Sequence, residues 1–199
     1  MMDASAWDQR YTEADRLWRR EPNEVVATEV DRLTPGRALD LAAGEGRHAL
    51  FLAERGWEVV AVDFSRVAIG KGMVTAQESG LEITWVVDDV LSYRPHGVFD
   101  LVLMSYLQLP EASMRRIVAG AELAVGPGGT LLIVAHALGN LDGGYGGPQD
   151  PALLYEPEQA ASWITSLEVD RAEHITRKVD TEEGPRTAID LILRAVRHG

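Results

Sequence analysis

Two carboxylates and two glycines at fixed spacing carry the strongest chemical signal in this chain. In RALDLAAGEGRHALFLAERG, from Arg37 to Gly56, an apolar run closes on Asp40 and glycines follow at positions 44 and 46; the next apolar run, VVAVDFS, closes on Asp63. Glycine has no Cβ, so the backbone at Gly44 and Gly46 can turn sharply and admit a ligand at contact distance. The helix beginning just beyond them offers unpaired N–H groups to that ligand. Asp63, at the end of the second run, stands where a carboxylate accepts both hydroxyls of a ribose. Asp40 lies at the start of the turn, where a carboxylate faces a phosphate unfavourably but can receive an ammonium group. An amino-acid-bearing nucleoside therefore suits the unit better than a pyrophosphate. The dinucleotide pattern G-x-G-x-x-A, with Ala49 as its last residue, stays open as the alternative.

These residues need a strand, a tight turn, an amphipathic helix and a second strand, and the sequence supplies them in that order. Further along, Ser65 is placed to cap a helix containing Ile69 and Met73, and Gly80 to end it. Gly70 and Gly72 each weaken such a helix by about 1 kcal/mol relative to alanine, and close packing on a sheet would explain them. ITWVVDDV reads as a strand ending in paired acids, and FDLVLMSYLQLP as a buried strand, Phe99 to Met104, leaving for a polar loop. Open α/β sheets bind ligands beyond the carboxyl ends of their strands, which brings Ser105, Tyr106 and Gln108 near the chemistry. A helix with Met114, Ile117, Val118 and Ala121 on its apolar side follows, then a Pro-Gly-Gly turn at 127–129 and a fifth strand ending at His136.

The stretch DLAAGEGRHALFLAERGWEVVAVDFS resembles motifs I and II of the class I S-adenosylmethionine-dependent methyltransferases. It is similar to the subgroup that includes the tellurite-resistance and thiopurine methyltransferases, and the resemblance covers most of the chain. It departs at Ala42 and Ala43, which stand where the family has glycine and a small residue or cysteine, and at Arg47, which replaces the third glycine. The resemblance implies an α/β fold: a Rossmann-like, seven-stranded, mostly parallel sheet with helices on both faces and a terminal antiparallel hairpin. It also implies S-adenosyl-L-methionine as cofactor and methyl transfer to a small-molecule acceptor. Carried onto this sequence, the cofactor-binding set is Asp40, Ala42, Gly44, Gly46, Arg47, Asp63, Phe64, Asp89, Val90, Ser105 and Trp18. Asp89 meets the adenine amino group, the Val90 N–H reaches the ring, and Asp88 is the solvated neighbour.

One domain is expected over residues 1–199, comprising a helical arm (1–36), a cofactor-binding core (37–136), a glycine-rich loop (137–156) and a terminal helix with hairpin (157–199). In the arm, Pro22 and Asn23 start a helix with Val26, Val30 and Leu33 on one face. Trp7, Tyr11 and Trp18 precede it, either pinning the arm to the sheet or, as in the resembling subgroup, covering the cofactor. The glycine-rich loop is long enough to be a second lid, with Tyr145 or Tyr155 offering a ring to a sulfonium. Pro157 begins a short helix containing Trp163, and strands from about Leu167 and Thr187 join through EEGPR.

Nineteen basic against 31 acidic residues give a net charge of −12, which argues against nucleic acid or an anionic membrane as partner. With no cysteine there is neither disulfide nor thiolate metal site, and no histidine–carboxylate cluster has metal-ligand spacing. No leader or membrane span is evident, so a cytoplasmic location is expected. His96, His174 and His198 read as exposed and His48 as facing water. His136, on the sheet rim, is the candidate general base, with Tyr106 its competitor; if the acceptor is already a thiolate or selenolate, no base is needed. A nicotinamide-dependent oxidoreductase and a non-catalytic binding protein remain the rival readings.

Overall fold

The computed structural model describes residues 3–181 and 183–199, so Glu182 of the EEGPR turn lies outside the described residues. The elements run α1 (Ala4–Glu13), α2 (Glu24–Val30), β1 (Arg37–Leu41), α3 (Arg47–Glu54), β2 (Glu58–Asp63), α4 (Arg66–Glu78), β3 (Ile83–Val87), β4 (Phe99–Ser105), α5 (Glu111–Ala124), β5 (Val125–His136), α6 (Pro157–Ala161), β6 (Glu168–Thr181) and β7 (Gly184–Val196). The strands form one sheet in the order β3-β2-β1-β4-β5-β7-β6. Strands β1 to β5 are parallel, whereas β7 runs antiparallel to both β5 and β6. This is the expected seven-stranded, mostly parallel sheet with its terminal hairpin.

Both faces of the central strands are covered, which is why they read as unbroken apolar runs. Ala38, Leu101, Leu103, Leu132, Val134 and Ile192 point to the layer made by α2 and α3. Leu39, Leu41, Val102, Met104, Ile133 and Leu193 point to the opposite layer, with Met114, Ile117 and Val118 of α5. Strand side chains alternate with a period of two. Continuing the first face outward puts Asp40 after Ala38, Ser105 after Leu103, His136 after Val134 and Asp190 before Ile192. Four polar residues thus extend one apolar face at the edge where β1, β4 and β5 end, and Asp190 pairs in register with His136.

The local signals that end each element are present. Asn23 caps α2 through its side-chain oxygen, and Ser65 caps α4. Gly80 ends the α4 turn at φ +66°. Gly72 explains one of the two glycines inside α4, because a Cβ there would fall 2.5 Å from the Trp85 ring; Gly70 has open space around it. The short helix after Pro157 stops at Ala161, so Trp163 packs just beyond it. Strand β7 is paired with β5 only over 190–196 but with β6 along its whole length, so the outer part of the hairpin stands beyond the sheet edge. Buried Glu29 of α2 ties this hairpin down, accepting from Arg171 at 2.5 Å and Arg194 at 2.6 Å. Among the described residues, no helix is long and apolar enough to cross a membrane.

Candidate active site

The glycine loop joins the buried carboxylates at the ends of β1 and β2. Asp63 Oδ2 accepts from the Gly44 N–H at 2.8 Å and Oδ1 from the Ser65 N–H at 2.9 Å. Burial pushes its pKa up against those two backbone donors. Each oxygen keeps a further lone pair, the chemistry needed to accept a sugar hydroxyl. Phe64 follows, partly buried. Asp40 is also buried, and its Oδ2 has no hydrogen-bond partner among the described residues. Burial raises its pKa to about 7, Arg47 opposing this and Asp63 reinforcing it. An orphaned carboxylate oxygen is costly in a protein interior, and a cationic ligand group would relieve it.

The loop glycines are required, but not all for the reason their spacing suggests. Gly44 and Gly46 take φ +58° and +78°, and Ala42 accepts the left-handed region at φ +61°, where the family places glycine. The clearance at Gly46 is filled by protein, because a Cβ there would lie 2.3 Å from the Trp85 ring. Over Gly44 sits the Tyr11 hydroxyl, 2.8 Å from where a Cβ would stand. The N-terminal arm is therefore docked on the loop. Glu45, buried in the loop, accepts from the Leu17 and Trp18 N–H groups at 2.9 and 3.2 Å. Lys71 of α4 donates to the carbonyls of Tyr11, Ala14 and Asp15. Asp8 meets Ser65 Oγ at 2.5 Å. Trp18 stays 42% exposed above the loop, its indole N–H donating to Tyr11 at 3.3 Å.

At the end of β3, the two acids exchange the surroundings expected of them. Asp88 is half-buried, whereas Asp89 is exposed, and its Oδ1 accepts from the Leu91 N–H at 2.9 Å. The cause is local: the chain turns tightly after β3, and a carboxylate two residues before a free N–H caps that turn. The Val90 N–H donates to no acceptor among the described residues and is available to a ligand.

The carboxyl ends of β4 and β5, beside the middle of β7, gather the two residues proposed for proton transfer. Tyr106 donates to Asp190 Oδ2 at 2.7 Å and accepts from Asn23 Nδ2 at 2.7 Å and Arg177 Nε at 3.2 Å. Burial, with Asp190 reinforcing it, pushes its hydroxyl pKa well above the ordinary tyrosine value. Its φ of +57° is a strained value for a side chain of this size. Arg47 and Arg177 each lie 5.6 Å from its ring centroid. Arg47 makes neither hydrogen bond nor ion pair among the described residues, and burial lowers its pKa. His136 Nδ1 stands 2.8 Å from Asp190 Oδ1, although the approach is off-line and neither atom completes an aligned hydrogen bond. Ser105 Oγ is buried without a partner on the same face.

Several expectations are corrected. His48 does not face water: it is buried, its Nε2 accepting from the Asn23 N–H at 3.2 Å, and burial together with Arg47 holds its pKa well below the ordinary value. Helical geometry turns position 48 under α2, whose first residues need an acceptor. Tyr155 cannot face a sulfonium, because it is in the core, edge-on to Trp163 at 4.9 Å and bonded to the Leu109 backbone. Tyr145 remains 45% exposed. Tyr106 is a hub of the polar network and no free base. Sequence reasoning missed Asp190, Arg177 and Glu45. Asp190 did leave a signal, a single acid inside the apolar run AIDLIL at a position whose neighbours two away face the core.

Comparison with known proteins agrees with this architecture. Residues 38–129 match a methyltransferase domain family. A demethylmenaquinone methyltransferase from Thermus thermophilus is 32% identical over 124 residues, covering 61% of this chain and 54% of that protein. The chain spans about half the length, or less, of the first curated relatives it matches. TehB from Haemophilus influenzae superimposes with a TM-score of 0.74 at 17% identity, over 98% of this chain and 66% of the other. The N-methyltransferase NodS from Bradyrhizobium japonicum, in complex with S-adenosyl-L-homocysteine, gives a TM-score of 0.72 at 16% identity over 98% and 99%. At these identities, the structural likenesses speak for the fold. Its strand order and these superpositions give the chain the class I S-adenosylmethionine-dependent methyltransferase fold, and its central segment is similar to a methyltransferase domain family.

Proposed function

We propose that this protein transfers a methyl group from S-adenosylmethionine to a small-molecule nucleophile at the carboxyl edge of β1, β4 and β5. The observation that carries the reading is the buried, unpartnered Asp40 Oδ2 beside the glycine turn, with Ser105 Oγ orphaned on the neighbouring strand. An amino-acid-bearing nucleoside supplies the ammonium that such a carboxylate lacks, whereas a pyrophosphate would meet two acids, Asp40 and Asp63. This favours the methyl donor over a nicotinamide dinucleotide. In this reading, Asp63 holds the ribose, Asp89 and the Val90 N–H hold the adenine beside Phe64, and Arg47 faces the donor's carboxylate. Ala42, Gly44 and Gly46 shape the turn beneath it. The docked arm, with Trp18 at its rim, covers the donor, and residues 137–156 form the outer wall of the acceptor site.

The bound donor supplies a methyl group on a positively charged sulfur. That charge disperses as the methyl leaves, so the protein's contribution is orientation and the exclusion of water. A small acceptor fits the net charge of −12 and a rim at which Gly147 of the loop crowds His136 and Arg177 of the hairpin meets Tyr106. Some relatives are named for ribosomal and transfer RNA substrates, and the acidic surface is the argument against such an acceptor here. The test is a mass-spectrometric search for species that gain a methyl group when a metabolite extract, or total RNA, is incubated with protein and donor. Methylated small molecules support the reading; methyl incorporation into RNA alone overturns it.

A further inference from the structure

Hydrogen bonding separates the two candidate bases. The Tyr106 proton lies on Asp190 and its lone pairs on Asn23 and Arg177, so it has nothing left to accept. The His136 ring is held differently, on three sides. Asp190 Oδ1 faces Nδ1 at 2.8 Å, and the Tyr106 ring lies 4.8 Å away at 49°. Gly147 closes the third side: a Cβ there would fall 2.6 Å from the imidazole Cδ2 and 2.8 Å from Cγ. Nε2 is the ring nitrogen left without a protein partner among the described residues, and the side chain keeps 13% of its surface open. Asp190 itself is wholly buried, and Tyr106 and Arg177, donating to Oδ2 at 2.7 and 3.0 Å, hold it as a carboxylate. A carboxylate can only accept hydrogen bonds. With Oδ1 2.8 Å from Nδ1, even off-line, the tautomer that turns a hydrogen rather than a lone pair towards the carboxylate carries it on Nδ1, which leaves the lone pair on Nε2.

We infer that His136 and Asp190 form a proton-accepting dyad, and that the acceptor is accordingly a group that must lose a proton on methylation, a hydroxyl or an ammonium, rather than a thiolate, selenolate or metalloid oxyanion. This inference rests on the methyl-transfer reading. In the step, the acceptor's lone pair forms the new bond to the methyl carbon, and the carbon–sulfur bond breaks with its pair going to sulfur. The acceptor's proton passes to Nε2; for an ammonium, it does so before attack. The resulting imidazolium is balanced by Asp190 and returns its proton to solvent. Asp190 acts through His136 and is a positioning residue. Among the described residues, the other charged or titratable groups around this pair are Tyr106, against the ring, Arg177 of β6, on the second oxygen of Asp190, and Arg47 of α3, 5.6 Å from the Tyr106 ring centroid.

Nitrogen NMR of histidine-labelled protein reads the dyad directly without any acceptor, the His136 signals being assigned by their loss in His136→Gln. The expected result is the Nδ1–H tautomer for neutral His136 in the unaltered protein, shifting towards Nε2–H in Asp190→Asn, whose amide can donate to Nδ1. An Nε2–H tautomer in the unaltered protein overturns the dyad even if Asp190→Asn fails to fold. In turnover, His136→Gln should lower kcat by roughly 10²–10⁴-fold and abolish the rise of kcat/KM with pH, leaving affinity for S-adenosylhomocysteine within about threefold. The methyl group in the product should be found on oxygen or nitrogen. Retained kcat, or a methyl on sulfur, selenium or tellurium, overturns the inference. Failure to bind S-adenosylhomocysteine at all would instead sink the cofactor reading, and the tautomer would still report on the dyad.

Discussion

The two halves of the site hold their carboxylates in opposite ways. On the β1–β2 side, Asp63 is bound by backbone N–H groups 19 and 2 residues away. On the β4–β5–β7 side, Tyr106 reaches Asn23 and Asp190 across 83 and 84 residues, and the bonds run between side chains. The first arrangement depends on main-chain geometry and tolerates side-chain variation around it. The second depends on every member being present, since a partly satisfied buried network leaves an uncompensated charge. Recognition of an invariant cofactor suits the former, and selection of a particular acceptor suits the latter.

Breaking the backbone half should have the largest effect. Gly46→Ala forces a side chain into φ +78° and against Trp85. Left-handed strain of about 1–2 kcal/mol and overpacking of about 1–3 kcal/mol together lower the thermal midpoint by roughly 4–20 °C. An unchanged midpoint would mean that Trp85 yields freely and the loop is less fixed than described. Asp63→Ala comes next, weakening S-adenosylhomocysteine by about 1.5–3 kcal/mol, roughly 10–150-fold. Equal affinity in calorimetry would remove Asp63 from the ribose.

Asp40 gives a smaller effect with a definite sign. Its folded pKa of about 7 lies above the ordinary 3.8, so the folded protein binds this proton more tightly than the unfolded chain. Its contribution to stability is full below the unfolded value and is lost as pH rises through about 7. A ligand ammonium prefers the ionised carboxylate, so affinity for S-adenosylhomocysteine should fall as pH drops below that value, by up to roughly tenfold per unit. Asp40→Asn should flatten this dependence and bind weakly throughout; a pH profile identical to that of the unaltered protein would place the ammonium elsewhere. The smallest effect is expected at Ala42, where Ala42→Gly relieves the φ of +61°. Denaturant melts should show a gain of up to roughly 1 kcal/mol, because relief of strain outweighs the added freedom of the unfolded chain. A loss would show that the turn is unstrained.

The same contrast explains how much could be read from the sequence. Asp40, Gly44, Gly46 and Asp63 were legible because a strand-turn-helix-strand unit writes its geometry into a short span. His136 was legible by topology alone, as the last residue of a strand whose carboxyl end meets the ligand edge. Asp190 and Arg177 were not, because their meeting with Tyr106 depends on β7 entering antiparallel beside β5 and on the hairpin overhanging the sheet. His48 was misread because one helical position decides between solvent and the underside of α2. The competition between Asp88 and Asp89 likewise turned on a tight turn that the alternation of apolar residues does not encode.

In the proposed function, this edge of the sheet receives an amino-acid-bearing nucleoside. Isothermal titration of the protein with S-adenosylhomocysteine, and separately with NADH, above neutral pH where Asp40 is ionised, tests it most directly. The expected result is saturable one-to-one binding of S-adenosylhomocysteine, weakened in Asp63→Ala and Asp40→Asn, and no comparable heat with NADH. Saturable binding of NADH with none of S-adenosylhomocysteine would contradict it.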